Sequence, residues 1–134
     1  MKTSIERLSD AVGYPERVPE GALSFTFRVD GADIYAEETS GRIVLTYELS
    51  DEDSFLAELA GYATGRMLKE DATLSWKNGG AFLWQDALVD ADARVLSRLF
   101  ESFMDSCDWW RARVDALRGG EKAETEPDTM VIRP

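Results

Sequence analysis

Apolar residues recur along the chain with two different periods. Between residues 91 and 118, Leu96, Leu99, Phe103, Cys107, Trp110, Val114 and Leu117 are spaced by three and four. That spacing puts them on one stripe of a long helix. Val95, Phe100 and Met104 widen the stripe, and no Gly or Pro interrupts it. Asp90 is the expected cap, and Gly119-Gly120 is the expected end. Trp109 lies about 100° round the helix from Trp110, so it packs against a different neighbour or remains at the surface.

Upstream the period is two. Residues 23–29 alternate apolar and polar side chains strictly, as a strand with one buried face does. Asp30-Gly31 is a hairpin turn signal, 32–38 is a weaker strand, Ser40-Gly41 is a second turn, and 42–49 is a strong third strand. Such short turns make consecutive strands antiparallel neighbours, a meander. Residues 72–77 alternate again, Asn78-Gly79-Gly80 is a tight turn, and 81–85 reads as a short strand buried on both faces.

Two further helices complete the pattern. Thr3 or Ser4 caps a short N-terminal one whose face carries Ile5, Leu8 and Val12, and Gly13 and Pro15 stop it. Ser50-Asp51-Glu52-Asp53 is a capping signal for another. Its apolar face comprises Phe55, Leu56, Leu59, Tyr62, Ala63 and Met67, with Ala57, Gly61 and Gly65 on a row of their own. The glycines of that row either admit a second backbone or are merely tolerated, and Gly65 is also a candidate helix end. The expected order is α-β-β-β-α-β-β-α, an α+β fold with an antiparallel sheet flanked by helices. Residues 1–118 form the expected single domain. Residues 119–134 form an acidic tail that ends in the apolar plug Met130-Val131-Ile132, a candidate to lie against an apolar groove or sheet edge.

Composition narrows the function. A chain of 134 residues with 44% hydrophobic content can bury a core unaided. No apolar run is long enough to span a bilayer and no signal segment is evident, so a soluble, unprocessed protein is expected. The 26 acidic and 15 basic residues give a net charge of −11, which repels nucleic acid and favours basic partners. Histidine is absent and Cys107 is the only cysteine. The usual general base, the usual zinc ligand and imidazole-dependent triads are therefore excluded. No phosphate-binding glycine loop or complete calcium loop occurs. Glu37 and Glu38 fall on opposite faces of a strand, so they do not serve one substrate. Neither catalysis nor a cofactor or metal is expected.

The element order, size and acidity, with Phe82-Leu83-Trp84 leading through the acidic residues of 86–92 into Leu96, Leu99, Phe103 and Trp110-Arg111, resemble a known family. The chain is similar over about residues 2–118 to the class I chaperones of bacterial type III secretion, the Tir-chaperone type. Two features differ from the family: the first helix is short, and Gly61 and Gly65 stand where leucine is usual. The resemblance implies a cytoplasmic homodimer that holds an extended N-terminal segment of a secreted effector without catalysis. It also implies a dimer interface built from the second helix and fourth strand. Phe55, Leu59, Gly61, Tyr62 and Trp76 are the interface residues expected here.

A partner without its own fold can add a strand to a sheet edge and seat alternate side chains in apolar grooves. Ile5, Leu8 and Val12, with Leu23, Phe25 and Ile34, are the expected partner-binding residues, and packing of the helix on the sheet is the competing role for each. An anti-activator or adaptor of the same fold is the alternative reading.

Overall fold

The computed structural model describes residues 2–50, 72–77 and 80–125, without the side chains of 50, 76, 77 and 117–125. The expected second helix therefore lies outside the described residues, as do Phe55, Leu59, Gly61, Tyr62, the side chain of Trp76 and the apolar plug of the tail.

The chain opens with α1 (Ser4–Val12). Of the two candidate caps, Thr3 is the one used. Its hydroxyl accepts from the Glu6 N–H, and its own N–H donates to Glu6 Oε1 at 2.8 Å. This reciprocal capping box satisfies two otherwise orphaned donors. It also holds the Glu6 carboxyl below the ordinary carboxylate range. Gly13 ends the helix in a left-handed conformation at φ 68°, as expected.

Three strands follow: β1 (Ser24–Val29), β2 (Ala32–Thr39) and β3 (Arg42–Ser50). Both connecting turns are two residues long. Asp30 and Gly31 have φ of 51° and 79°, and Ser40 and Gly41 have 52° and 77°. Positive φ at both central residues is what a hairpin turn matched to strand twist demands. The meander β1-β2-β3 thus forms as the pattern requires. After it come β4 (Thr73–Lys77) and β5 (Gly80–Leu88), and β5 pairs with β3 as well as β4. The sheet is antiparallel throughout, in the order β1-β2-β3-β5-β4.

The last element is α2 (Ala93–Thr125). Its start corrects the expected cap: Asp92, not Asp90, accepts from the Val95 N–H, at 2.9 Å. Its end corrects the expected stop, because the helix passes through Gly119-Gly120. Each glycine costs about 1 kcal/mol relative to alanine, but the Glu121-Lys122-Ala123-Glu124 run beyond them favours helix strongly enough to continue it. The fifth strand is also longer than expected and is not buried on both faces. Ala81, Leu83 and Gln85 are buried, whereas Phe82, Trp84 and Asp86 are half-buried on the other side.

Alternation of this kind tells which face is covered. Phe27, Ile34, Ala36, Ile43, Leu45, Leu74 and Leu83 turn inward from five strands to meet Ile5 and Leu8 of α1 and Leu96, Phe103, Cys107, Trp110 and Val114 of α2. Both described helices lie on that one face, and α1 packs directly on α2. Trp109 is half-buried, edge-on to Trp110 at 5.1 Å, with the Arg113 guanidinium 4.9 Å from its ring.

Polar ties fix α1 in place. Thr3 Oγ1 donates to the Ala22 carbonyl at 2.7 Å, and the Ser4 N–H donates to Glu38 Oε1 at 3.1 Å. On its other side, the Arg7 guanidinium donates to the carbonyls of Val89 and Ala91, in the connection between β5 and α2.

Phe103→Ala removes a ring that is fully buried between the layers. It is expected to lower the unfolding free energy by about 3–5 kcal/mol, whereas Leu23→Ala at an exposed site should change it by less than about 0.5 kcal/mol. Urea denaturation of the two variants against the parent protein checks both values.

Candidate partner-binding site

The rim of the sheet at β1 is the place where the expected binding residues can be examined. Glu38 donates its N–H to the Leu23 carbonyl at 2.8 Å, and this fixes which β1 residues bond inward. In an antiparallel pair, alternate residues exchange bonds with the neighbour. Phe25, Phe27 and Val29 therefore bond to β2, while Ser24, Thr26 and Arg28 direct their backbone groups outward. One outward donor is satisfied, since the Arg28 N–H reaches the Tyr14 hydroxyl at 3.0 Å. Among the described residues, no strand covers Ser24 and Thr26.

Tyr14 also organises the apolar side of this rim. Its ring meets Phe27 edge-on at 4.9 Å and Phe25 at 5.9 Å, and Phe25 meets Phe27 at 4.9 Å. Phe27 in turn touches Phe100 of α2, at 5.7 Å. Such edge-to-face pairs add stabilisation beyond the area they bury. Tyr14 was not among the expected site residues. Its signal was an aromatic side chain in a Gly-Pro loop that precedes a phenylalanine-rich strand.

The six expected partner-binding residues separate by exposure. Ile5, Leu8 and Ile34 are closed off completely, so in the isolated chain they are core. Val12 and Phe25 are half-buried and pack against that core, Phe25 with its ring edge-on to Tyr14. Leu23, at the head of β1, is 55% exposed. Beside the rim opens a cleft of about 500 Å³, lined by Glu6, Ser9, Asp10, Tyr14, Glu16 and Val18, among others. Lys2 pairs with Asp10 at its edge.

Nothing in this arrangement assembles reactive groups. Glu37 points to solvent, and Glu38 is taken up by Ser4. Burial pushes the Cys107 thiol up to about 12, so it is neutral at physiological pH. Among the described residues, no cluster of Cys, Asp and Glu is placed to hold a metal ion, and no helix is long and apolar enough to cross a membrane.

No protein-family model matches the chain, and no curated protein matches it in sequence. Solved structures do. A chain of the HopA1–SchA chaperone–effector complex is 14% identical with a TM-score of 0.62, over 80% of this chain and 89% of that one. A chain of the ExsC–ExsE complex is 11% identical with a TM-score of 0.61, over 81% and 89%. The fold is that of the type III secretion chaperones. A third match is YbjN from E. coli, assigned as a candidate transcription regulator, at 12% identity and a TM-score of 0.54 over 89% and 91%. The expected α+β order is borne out for the seven elements described, and so is the family resemblance as a likeness of fold.

Two outcomes follow from this geometry. Tyr14→Phe keeps the ring contacts but leaves the Arg28 N–H without its acceptor. It is expected to destabilise the protein by about 0.5–1.5 kcal/mol and to speed amide exchange at Arg28, both measurable by NMR and denaturation. Cys107, with its raised pKa, should resist iodoacetamide at pH 8 in the native protein and react readily in denaturant, as mass spectrometry would show. The sign for stability is the same. The contribution is complete below the unfolded thiol's pKa of about 8.5 and is lost as pH rises toward the folded value of about 12.

Proposed function

We propose that the protein is a cytoplasmic, homodimeric type III secretion chaperone. It binds an extended N-terminal segment of a secreted effector and keeps that segment soluble and fit for export, without catalysis. The observation that carries this reading is the open backbone edge at Ser24 and Thr26, flanked by Leu23, Val12 and Phe25, on a fold shared with a chaperone–effector complex. A segment lacking its own fold loses entropy on binding, and backbone hydrogen bonds along an edge offset part of that cost whatever its sequence. Leu23, Val12 and Phe25 would then select the apolar side chains, while Ile5, Leu8 and Ile34 support them from beneath. The acidic cleft beside α1 favours a segment with basic residues. Phe55, Leu59, Gly61, Tyr62 and Trp76 remain the proposed dimer contacts.

A second reading is an anti-activator or adaptor of the same fold, and the similarity to YbjN supports it. The two differ in the partner: a regulator in one case, an exported protein in the other.

Light scattering of the purified protein at micromolar concentration is expected to give twice the chain mass. With the product of a neighbouring gene as partner, Leu23→Asp should weaken binding at least about tenfold while leaving that mass unchanged. Calorimetry reads the affinity, and a monomeric protein with unaltered partner affinity in the variant would defeat the reading.

A further inference from the structure

Tyr14 serves two places at once. Its hydroxyl accepts the Arg28 N–H at the rim of β1, and its ring is a wall of the cleft of about 500 Å³ beside α1. Among the described residues, the lining of that cleft comes from 2–20 alone. One side is the face of α1 that carries Glu6, Ser9 and Asp10, and the other is the loop that follows, with Glu16, Val18 and Glu20. A strand added to β1 can bond to Ser24 and Thr26, but at Arg28 it meets the Tyr14 hydroxyl. It leaves the rim there, next to the cleft.

Charge and hydrogen bonding in the cleft are unbalanced. Four carboxylates line it, Glu6, Asp10, Glu16 and Glu20, against two basic side chains, Lys2 and Arg17. Glu6 is occupied by the capping box and Asp10 by Lys2. Glu16 and Glu20 have no ion-pair partner among the described residues. Ser9 points to the same need. It is 8% exposed, and its hydroxyl has no hydrogen-bond partner among the described residues, although its carbonyl accepts from the Tyr14 N–H. A buried polar group of that kind calls for a partner. Among the described residues, no acidic cluster is placed to hold a metal ion. Dispersed carboxylates, a lone hydroxyl and an aromatic wall suit a guanidinium instead, since its donors fan out in one plane and its face stacks on rings.

We propose that the cleft between α1 and the loop of residues 14–20 takes one arginine side chain of the segment held at β1, and so selects which segments are accepted. This rests on the reading of β1 as the place where the segment is held. The guanidinium donates to Ser9 Oγ, lies against the Tyr14 ring and is neutralised by Glu16 and Glu20. Lys2 already sets an ammonium against Asp10 at the edge of the cleft, so a cation is at home there. The selected arginine stands a few residues beyond those that bond to Ser24 and Thr26, because Tyr14 joins the end of the rim to the cleft.

The test uses two fluorescent peptides that alternate valine with threonine. One carries arginine just beyond the alternating run at each end, and the other carries citrulline, an uncharged isostere, at the same places. Anisotropy is expected to show the arginine peptide binding at least about tenfold more tightly. Glu16→Gln with Glu20→Gln should cut that preference to below about threefold, whereas the charge-matched pair Glu101→Gln and Asp105→Asn on α2 should leave it intact. Amide NMR should show arginine-dependent shifts at Ser9 and Tyr14 together with shifts at Ser24 and Thr26. Equal affinity of the two peptides, with the shifts at Ser24 and Thr26 kept, would overturn the cleft proposal and leave the β1 reading standing. Equal loss of preference in the two charge-matched pairs would also overturn it, because the peptide would then be drawn only by the net charge of −11. Absence of shifts at Ser24 and Thr26 with either peptide would remove the β1 reading and the proposal with it. Shifts at Ser9 and Tyr14 caused by Arg133→Gln without peptide would assign the cleft to the chain's own tail and likewise overturn the proposal.

Discussion

An antiparallel sheet that does not close into a barrel leaves backbone donors and acceptors along its rims, and these must bond to something. That requirement organises this protein. Among the described residues, five strands in the order β1-β2-β3-β5-β4 leave β1 with one side unpaired. A stably monomeric protein commonly blunts such edges with charge, proline or a covering loop. Among the described residues, one outward donor of β1 is covered, by the Tyr14 hydroxyl on Arg28. Among the described residues nothing covers the outward groups of Ser24 and Thr26, and in the proposed function they are the place where another chain is held.

The helices serve that arrangement. Both described helices cover the same face, so the buried apolar side chains of every strand point into one core. The first helix is too short to be stable by itself. Its position comes from Thr3 on Ala22, Ser4 on Glu38, and Arg7 on the connection between β5 and α2. These ties set α1 on α2 and β2, and Tyr14, just past its end, meets Phe25 and Phe27 of β1. Acidic side chains around the neighbouring cleft then bias what approaches it.

Much of this was legible in the sequence. The two-residue turns were plain because Asp-Gly and Ser-Gly supply positive φ, and the stripe of α2 was plain because its period never breaks. What local pattern cannot give is depth. Ile5 and Leu8 share the helical spacing of Val12, and Ile34 alternates as Leu23 and Phe25 do, yet Ile5, Leu8 and Ile34 are sealed in the core while Val12 and Phe25 are half-buried and Leu23 stands in solvent. That difference depends on where α1 lies, which is decided by Glu38 and by the Val89 and Ala91 carbonyls, far off in sequence. The end of α2 was misread because Gly119-Gly120 lowers helix stability without forbidding helix. The fifth strand was misread because Phe82 and Trp84 are apolar although they face away from the core, and apolar character alone does not say which side is covered.

The central claim is that the exposed rim of β1 is where a partner's chain is held. Hydrogen exchange at the Ser24 and Thr26 amides, followed with and without the bound partner, tests it most directly. The account predicts that both amides exchange freely in the isolated protein and become strongly protected in the complex, while the inward-bonded Phe27 amide stays protected throughout. Unchanged exchange at Ser24 and Thr26 in a saturated complex would contradict it.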